Sequence, residues 1–275
     1  MLDPNWQSPY APSADERLAN QHAVRRFALK RKLPQAIVVG VVVVALIALV
    51  SVSIWLGVLG GVVALGYGLD IRRSLARYER QGQSLGSDIR EHFVIAGSTS
   101  ERQRLATVLD RLSATFGVDA VTPFIVEDPG YNAALVPDDQ GYVLFVTTGL
   151  MDAFELIELE GVVAHCLARQ RLGLLARQGV ASSMNMSDDA RQNLAGSGSC
   201  YRADEVAAAA IRYPLGLAGA LRKCARQVPP TGSFFLSDAY ARWRWVFFDV
   251  WSERSSAHLD DLDDVELRAM ALEEW

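Results

Sequence analysis

The chain has 275 residues, 50% of them apolar, and a formal net charge of −5, enough to bury one substantial core with length left over for an anchor. The charge is uneven: Arg25, Arg26, Lys30, Arg31 and Lys32 crowd one stretch, Arg72, Arg73, Arg77 and Arg80 another, and acid gathers in Asp260, Asp261, Asp263, Asp264 and Glu266. No long basic face with interleaved aromatics occurs, which argues against nucleic acid as a partner, and the odd, widely spaced Cys166, Cys200 and Cys224 argue against a disulfide framework and suit a reducing compartment.

Residues 1–15 are rich in Pro, Ser and Ala and are expected to be disordered, so 1–32 reads as a disordered and basic N-terminal region. Residues 33–69 carry no charge. As one helix they would run roughly 55 Å at 1.5 Å per residue, against a hydrocarbon core of about 30 Å. Two shorter spans, 36–52 and 54–69, fit better, with Ser51, Ser53 and Trp55 at the turn and Gly57, Gly60 and Gly61 allowing close approach. Basic flanks on both sides place both ends in the cytoplasm, which requires an even number of spans. One long tilted span is the alternative. A cleaved signal peptide does not fit, because the preceding stretch is too long and no small-residue cleavage site follows.

Residues 70–97 read as a polar juxtamembrane stalk, helical in part, and 98–275 as the soluble domain. Ser98-Thr99-Ser100-Glu101 is a capping box opening a helix with Leu105, Val108, Leu109 and Leu112 on one side. Residues 124–127 form a short strand ended by the turn signal Asp128-Pro129-Gly130. Residues 133–136 and 142–147 flank Pro137-Asp138-Asp139-Gln140-Gly141 and fit a hairpin. A long helix with His165 follows. Residues 176–199 are rich in Gly, Ser, Asn and Asp and read as a loop. Residues 203–211 are an Ala-rich helix, and Pro214 opens the next. Trp243, Trp245, Phe247, Phe248 and Trp251 make an aromatic cluster, by default core, alternatively a membrane-surface contact.

The helix around His165 carries the chemistry. A zinc-protease helix needs H-E-x-x-H: two histidines four apart on one face bind the metal, and the Glu between them is the general base. The same five positions here are His165, Cys166, Leu167, Ala168 and Arg169. The frame around them is conventional. F-I-V-E-D-P-G-Y-N-A at 124–133, V-T-T-G-L at 146–150, E-L-E-G-V-V-A-H at 158–165, C-Y-R-A-D at 200–204 and the closing stretch 258–272 occur in that order. Together they resemble the HtpX-like membrane zinc metallopeptidases, the group that also contains the CAAX prenyl proteases, over residues 102–272.

The resemblance implies an α+β, zincin-like metallopeptidase domain, mainly helical with a small β-sheet, behind an N-terminal transmembrane hairpin in a bacterial inner or plasma membrane, the domain facing the cytoplasm. It also assigns roles. His165 stands at the first ligand, Arg169 at the second, Cys200 at the third (where the family has Glu), Cys166 at the base, and Asp204 in the shell that supports the ligands. Many active relatives have further spans after the active-site helix, which polar residues 176–199 cannot supply.

The substitutions fall on the reacting groups. Guanidinium has no lone pair to give a metal, so His165 and Cys200 are left as two degenerate ligands, and no side chain at 166 takes a proton from an attacking water. Cys166 beside His165 is a poor nucleophile–base pair, since neighbours on a helix point about 100° apart. No cofactor is expected; zinc returns only if His165, Cys200 and Cys166 rebuild a site. Arg169 has two readings: pairing with Asp204 across the former metal position, or reaching to solvent. The leading functional expectation is an inactive, membrane-anchored pseudoprotease that binds a peptide or protein, or regulates one. In zincins the strand before the active-site helix offers an edge for extended peptides, and Tyr142, Leu144 and Val146 stand on its counterpart. The alternatives are an active metallopeptidase with a rebuilt site, and a structural subunit for another membrane protein.

Overall fold

The computed structural model describes residues 10–49, 53–228, 230–249 and 264–275; Ser51, Trp251 and the start of the closing stretch, residues 258–263, lie outside them, as does the expected disorder of residues 1–9. From Ala14 onward that expected disorder does not hold. Helix α1 (Ala14–Gln21) is capped by the Ser13 hydroxyl and pinned to the domain, with Glu16 3.0 Å from Arg202 and Asn20 donating to the Leu172 carbonyl at 2.9 Å.

The uncharged run is two helices, α2 (Ala23–Ala48) and α3 (Ile54–Gln83), each long and apolar enough to cross a membrane. They run antiparallel. At the open end Lys32 pairs with Asp70 at 2.7 Å and the Tyr67 hydroxyl donates to the Lys32 carbonyl; towards the turn Gly60 packs on Leu46. Gly61, expected in the same contact, faces open space. Ile37, Val41, Val44, Val58, Val62 and Leu65 are exposed along the pair, a surface that suits lipid and not water.

Helix α3 continues past the apolar run, and α4 (Leu85–His92) follows with Leu85 and Ile89 fully buried. The stretch read as a stalk therefore packs on the domain through this i, i+4 apolar pair, with Arg90 2.5 Å from Asp138. In α5 (Thr99–Phe116) the capping box forms as the sequence predicts, and its Leu and Val stripe is buried.

Strands β1 (Val121–Val126), β2 (Ala133–Asp138) and β3 (Gly141–Thr147) form a sheet in the order β1-β3-β2, with β3 parallel to β1 and antiparallel to β2. Thr147 caps the short α6 (Thr148–Ala153). Gly149 is required there, since a Cβ would lie 2.2 Å from the Pro129 carbonyl oxygen. The central helix α7 (Leu156–Arg171) lies in the main core, between α5 and the later helices α10 (Ser199–Ile211) and α11 (Pro214–Arg226). Gly161 lets α11 approach closely: a Cβ would meet the Leu217 Cα at 2.7 Å.

Residues 176–199, expected as a loop, are mostly helical, as α8 (Leu175–Ser183) and α9 (Asp188–Ala195). Their polarity misleads because it is turned inward. Gln178 and Ser182 are buried with partners, and Gly179 abuts Gly82 where α8 crosses α3. The helix α12 (Asp238–Trp243), a 3-10 turn at Arg244–Val246 and the closing α13 (Val265–Glu273) complete the described chain. Trp243, Trp245, Phe247 and Phe248 are buried, so the described part of the aromatic cluster is core.

Candidate functional site

Helices α7 and α10 bring His165 and Asp204 together. The Asp204 carboxylate sits 2.6 Å from His165 Nδ1 and accepts from Arg268 Nε at 2.6 Å and Arg268 Nη2 at 3.1 Å. All three side chains are buried, and the Phe248 ring lies edge-on to the imidazole and under the guanidinium. Burial pushes the Asp204 carboxyl up, but the charge of Arg268 and the His165 contact outweigh it and hold the acid below the ordinary carboxylate range. An ionised Asp204 accepts only, so Nδ1 of His165 carries the proton and Nε2 presents its lone pair. That Nε2 atom is buried and has no hydrogen-bond partner among the described residues. A carboxylate on one ring nitrogen with the other left open is how a metal-binding histidine is oriented.

The other described donors do not complete a site. Cys166 is fully buried in the main core, and burial pushes its thiol up to about 12, so at neutral pH it is neither a thiolate nucleophile nor a base. Cys200, one turn before Asp204, is buried in a different cluster with Val24, Ala28, Tyr78, Val180 and Trp245. Among the described residues no group of three His, Cys, Asp or Glu side chains is placed to hold a metal ion. The described donor set does not fit a catalytic zinc, which needs about three protein ligands.

Arg169 follows neither of its two expected courses. It is fully buried, so it does not reach solvent, and the described partners of Asp204 are His165 and Arg268. Its Nε and Nη2 instead donate to Gln178 Oε1 at 2.9 and 2.6 Å. Nη2 also reaches the Trp245 carbonyl at 2.8 Å, and Nη1 reaches those of Val246 at 2.6 Å and Phe247 at 3.4 Å. Gln178 donates onward to the Ser199 hydroxyl at the start of α10. The guanidinium thus ties α7, α8, α10 and the 3-10 turn together, with its planar donors spread over a semicircle of acceptors that an ammonium could not match.

The peptide edge also differs from expectation. Tyr142, Leu144 and Val146 stand on β3, which is the central strand, with both sides paired. Each outer strand is met at one end by the chain itself. On β1 the Glu127 amide donates to the Val94 carbonyl and the Ala96 amide to the Ile125 carbonyl. On β2 Phe247 bridges Ala134 and the Phe248 amide donates to the Ala133 carbonyl at 2.7 Å. Asn132 completes this seam, its side chain accepting from the Asp249 amide and donating to the Asp249 carbonyl, both at 3.0 Å. The carbonyls that Arg169 holds therefore belong to the segment that seals β2.

Arg268 and Gln178 hold the candidate site together and were not singled out in the sequence. A signal for Arg268 existed: it lies one turn before Leu272, on the apolar face of α13, and a charge there needs a buried partner. Gln178 was hidden in a stretch read as loop.

Two buried groups oppose each other in acid. Burial pushes His165 down to about 4 from an ordinary 6.5, so the unfolded chain takes its proton first and stability is lost as pH falls through that window. Burial pushes Asp249 up to about 6, so the folded protein takes that proton first and gains stability as pH falls from 6 towards 3.8. Asp249→Asn should remove the compensation, giving a steeper fall in melting temperature between pH 7 and pH 5 than wild type. An unchanged slope in paired thermal melts would contradict this assignment.

No protein-family model matches the chain. It is 31% identical over 167 aligned positions to a protein named Protease HtpX homolog from Dictyoglomus turgidum (strain DSM 6724 / Z-1310), and 29% identical over 167 to one of the same name from Dictyoglomus thermophilum (strain ATCC 35947 / DSM 3960 / H-6-12). Each match covers 46% of this chain and 55% of the relative, so the chain spans about half the length of the curated relatives it matches. The two relatives support an HtpX-like family for a chain that carries two helices fit to cross a membrane.

Proposed function

We propose that this chain is a membrane-anchored relative of the HtpX-type proteases that has given up hydrolysis and acts as a regulatory or structural partner of another membrane protein. The observation that carries the reading is Arg169: at the position of the second metal ligand stands a buried cation whose donors are spent on Gln178 and the carbonyls of residues 245–247. Strand addition at β3 is not the mode of partner binding we propose, since β3 is paired on both sides and the chain itself meets one end of each outer strand. The test is proteolysis of unfolded protein substrates by the full chain in detergent. We expect no cleavage that a chelator abolishes; chelator-sensitive turnover lost in His165→Ala would overturn the reading.

One observation favours a second reading, an active enzyme with a rebuilt site. His165 keeps the posture of a ligand, with Asp204 behind it and Nε2 open. Zinc content separates the two.

We further propose that the domain faces the cytoplasm, because the basic clusters at 25–32 and 72–80 flank the open end of the hairpin. A cysteine introduced at exposed Asp139 should resist an impermeant maleimide in intact cells and react after permeabilisation. Labelling of intact cells would reverse the topology.

A further inference from the structure

Where the hairpin leaves the domain, a groove of about 850 Å³ opens between the first turns of α2 and helices α8 and α9. Its charged lining is Arg26, Lys30, Arg31 and Arg177, with no carboxylate among the lining residues. None of the four makes an ion pair with a described carboxylate. Arg177 spends its donors on neutral acceptors, the Leu194 and Asn193 carbonyls and the Asn20 side chain, and burial lowers its pKa. Phe27 and Leu194 give the groove an apolar wall. Four cations held together without counter-charge repel one another, and an anion between them relieves that cost.

The position along the chain identifies the anion's source. Leu33 begins the uncharged run directly after Lys32, so Lys30 and Arg31 stand within one turn of the hydrocarbon boundary and Arg26 about one turn further out. A phosphate in the lipid headgroup layer lies at that depth, with its acyl chains beside the exposed apolar side of α2. We infer that this groove is a binding site for an anionic phospholipid, its phosphate held by Arg26, Lys30 and Arg177 and its chains laid along α2. Basic pockets at the mouth of membrane helices recognise such headgroups, at a gain of roughly fivefold in affinity per cation.

The inference rests on the hairpin lying in the bilayer, which resistance of the full chain to alkaline carbonate extraction tests separately. The full chain is then incorporated into nanodiscs of phosphatidylcholine with phosphatidylglycerol, and lipids retained after transfer to neutral detergent are read by native mass spectrometry. We expect one phosphatidylglycerol retained per chain in preference to phosphatidylcholine. The exposed pair Arg26→Gln/Lys30→Gln should lose the preference by roughly tenfold or more. Arg72→Gln/Arg73→Gln, which removes the same charge from the other helix, should keep it. Arg177→Gln is not relied on alone, because Arg177 also ties α8 to α9. Equal retention of the two lipids, equal loss in the two double variants, or displacement by millimolar inorganic phosphate would overturn the proposal.

Discussion

Arg169→Met is expected to cost at least about 3 kcal/mol of stability, which leaves only about 2 if the reserve is near the usual minimum of about 5. The replacement has similar length and no donors. It strands Gln178 Oε1 and the carbonyls of Trp245 and Val246, all buried, at roughly 1–3 kcal/mol for each acceptor left without a partner. It also releases the segment that seals β2, so the Ala134–Phe247 bridge should loosen with it. Arg169→Lys should fail nearly as badly, because one ammonium cannot span the arc. Denaturation of Arg169→Met, Gln178→Leu and the double variant should show strong coupling, and the same cycle with Asp204→Asn should show less. A larger coupling to Asp204 would restore the Arg169–Asp204 pair that the structure does not contain.

Asp204→Asn should be similarly severe, by about 3–5 kcal/mol, because it leaves the buried Arg268 guanidinium without the carboxylate that takes two of its donors. The amide can still accept from His165, but it carries no charge to balance Arg268. Arg268→Met alone strands the Asp204 charge, and should push the acid up towards protonation. Removing both should cost much less than the sum, since neither charge is then left alone in the core. Additive effects of less than about 1 kcal/mol each would show that the pair is not buried as described.

Much of the scaffold was legible because its signals are local. The capping box at Ser98, the hairpin that joins β2 to β3 (tighter than the expected five-residue connection) and Pro214 at the start of α11 each follow from residues a few positions apart. The two glycines of the motif segments, Gly149 and Gly161, are explained by backbone contacts that no side chain could share. What stayed hidden is long-range. Arg169 lies 76 residues before Trp245 and Asp204 lies 64 before Arg268, and no spacing rule links such pairs. The helices at 175–195 were hidden for another reason: buried Gln178 and Ser182 carry the composition of a loop while serving as internal partners. The strand edge was misread because a continuous apolar run identifies β3 as a strand without saying which strands flank it.

We propose that a protease-like scaffold has here replaced a metal by a cation and a network of backbone acceptors. Zinc content of the full chain tests it most directly, measured by elemental mass spectrometry after purification from membranes without chelator and with zinc in the growth medium. Far less than one zinc per chain is expected, and no thermal shift when zinc is added. Close to one zinc per chain, lost in both His165→Ala and Cys200→Ala, would contradict it and make His165 Nε2 a metal ligand after all.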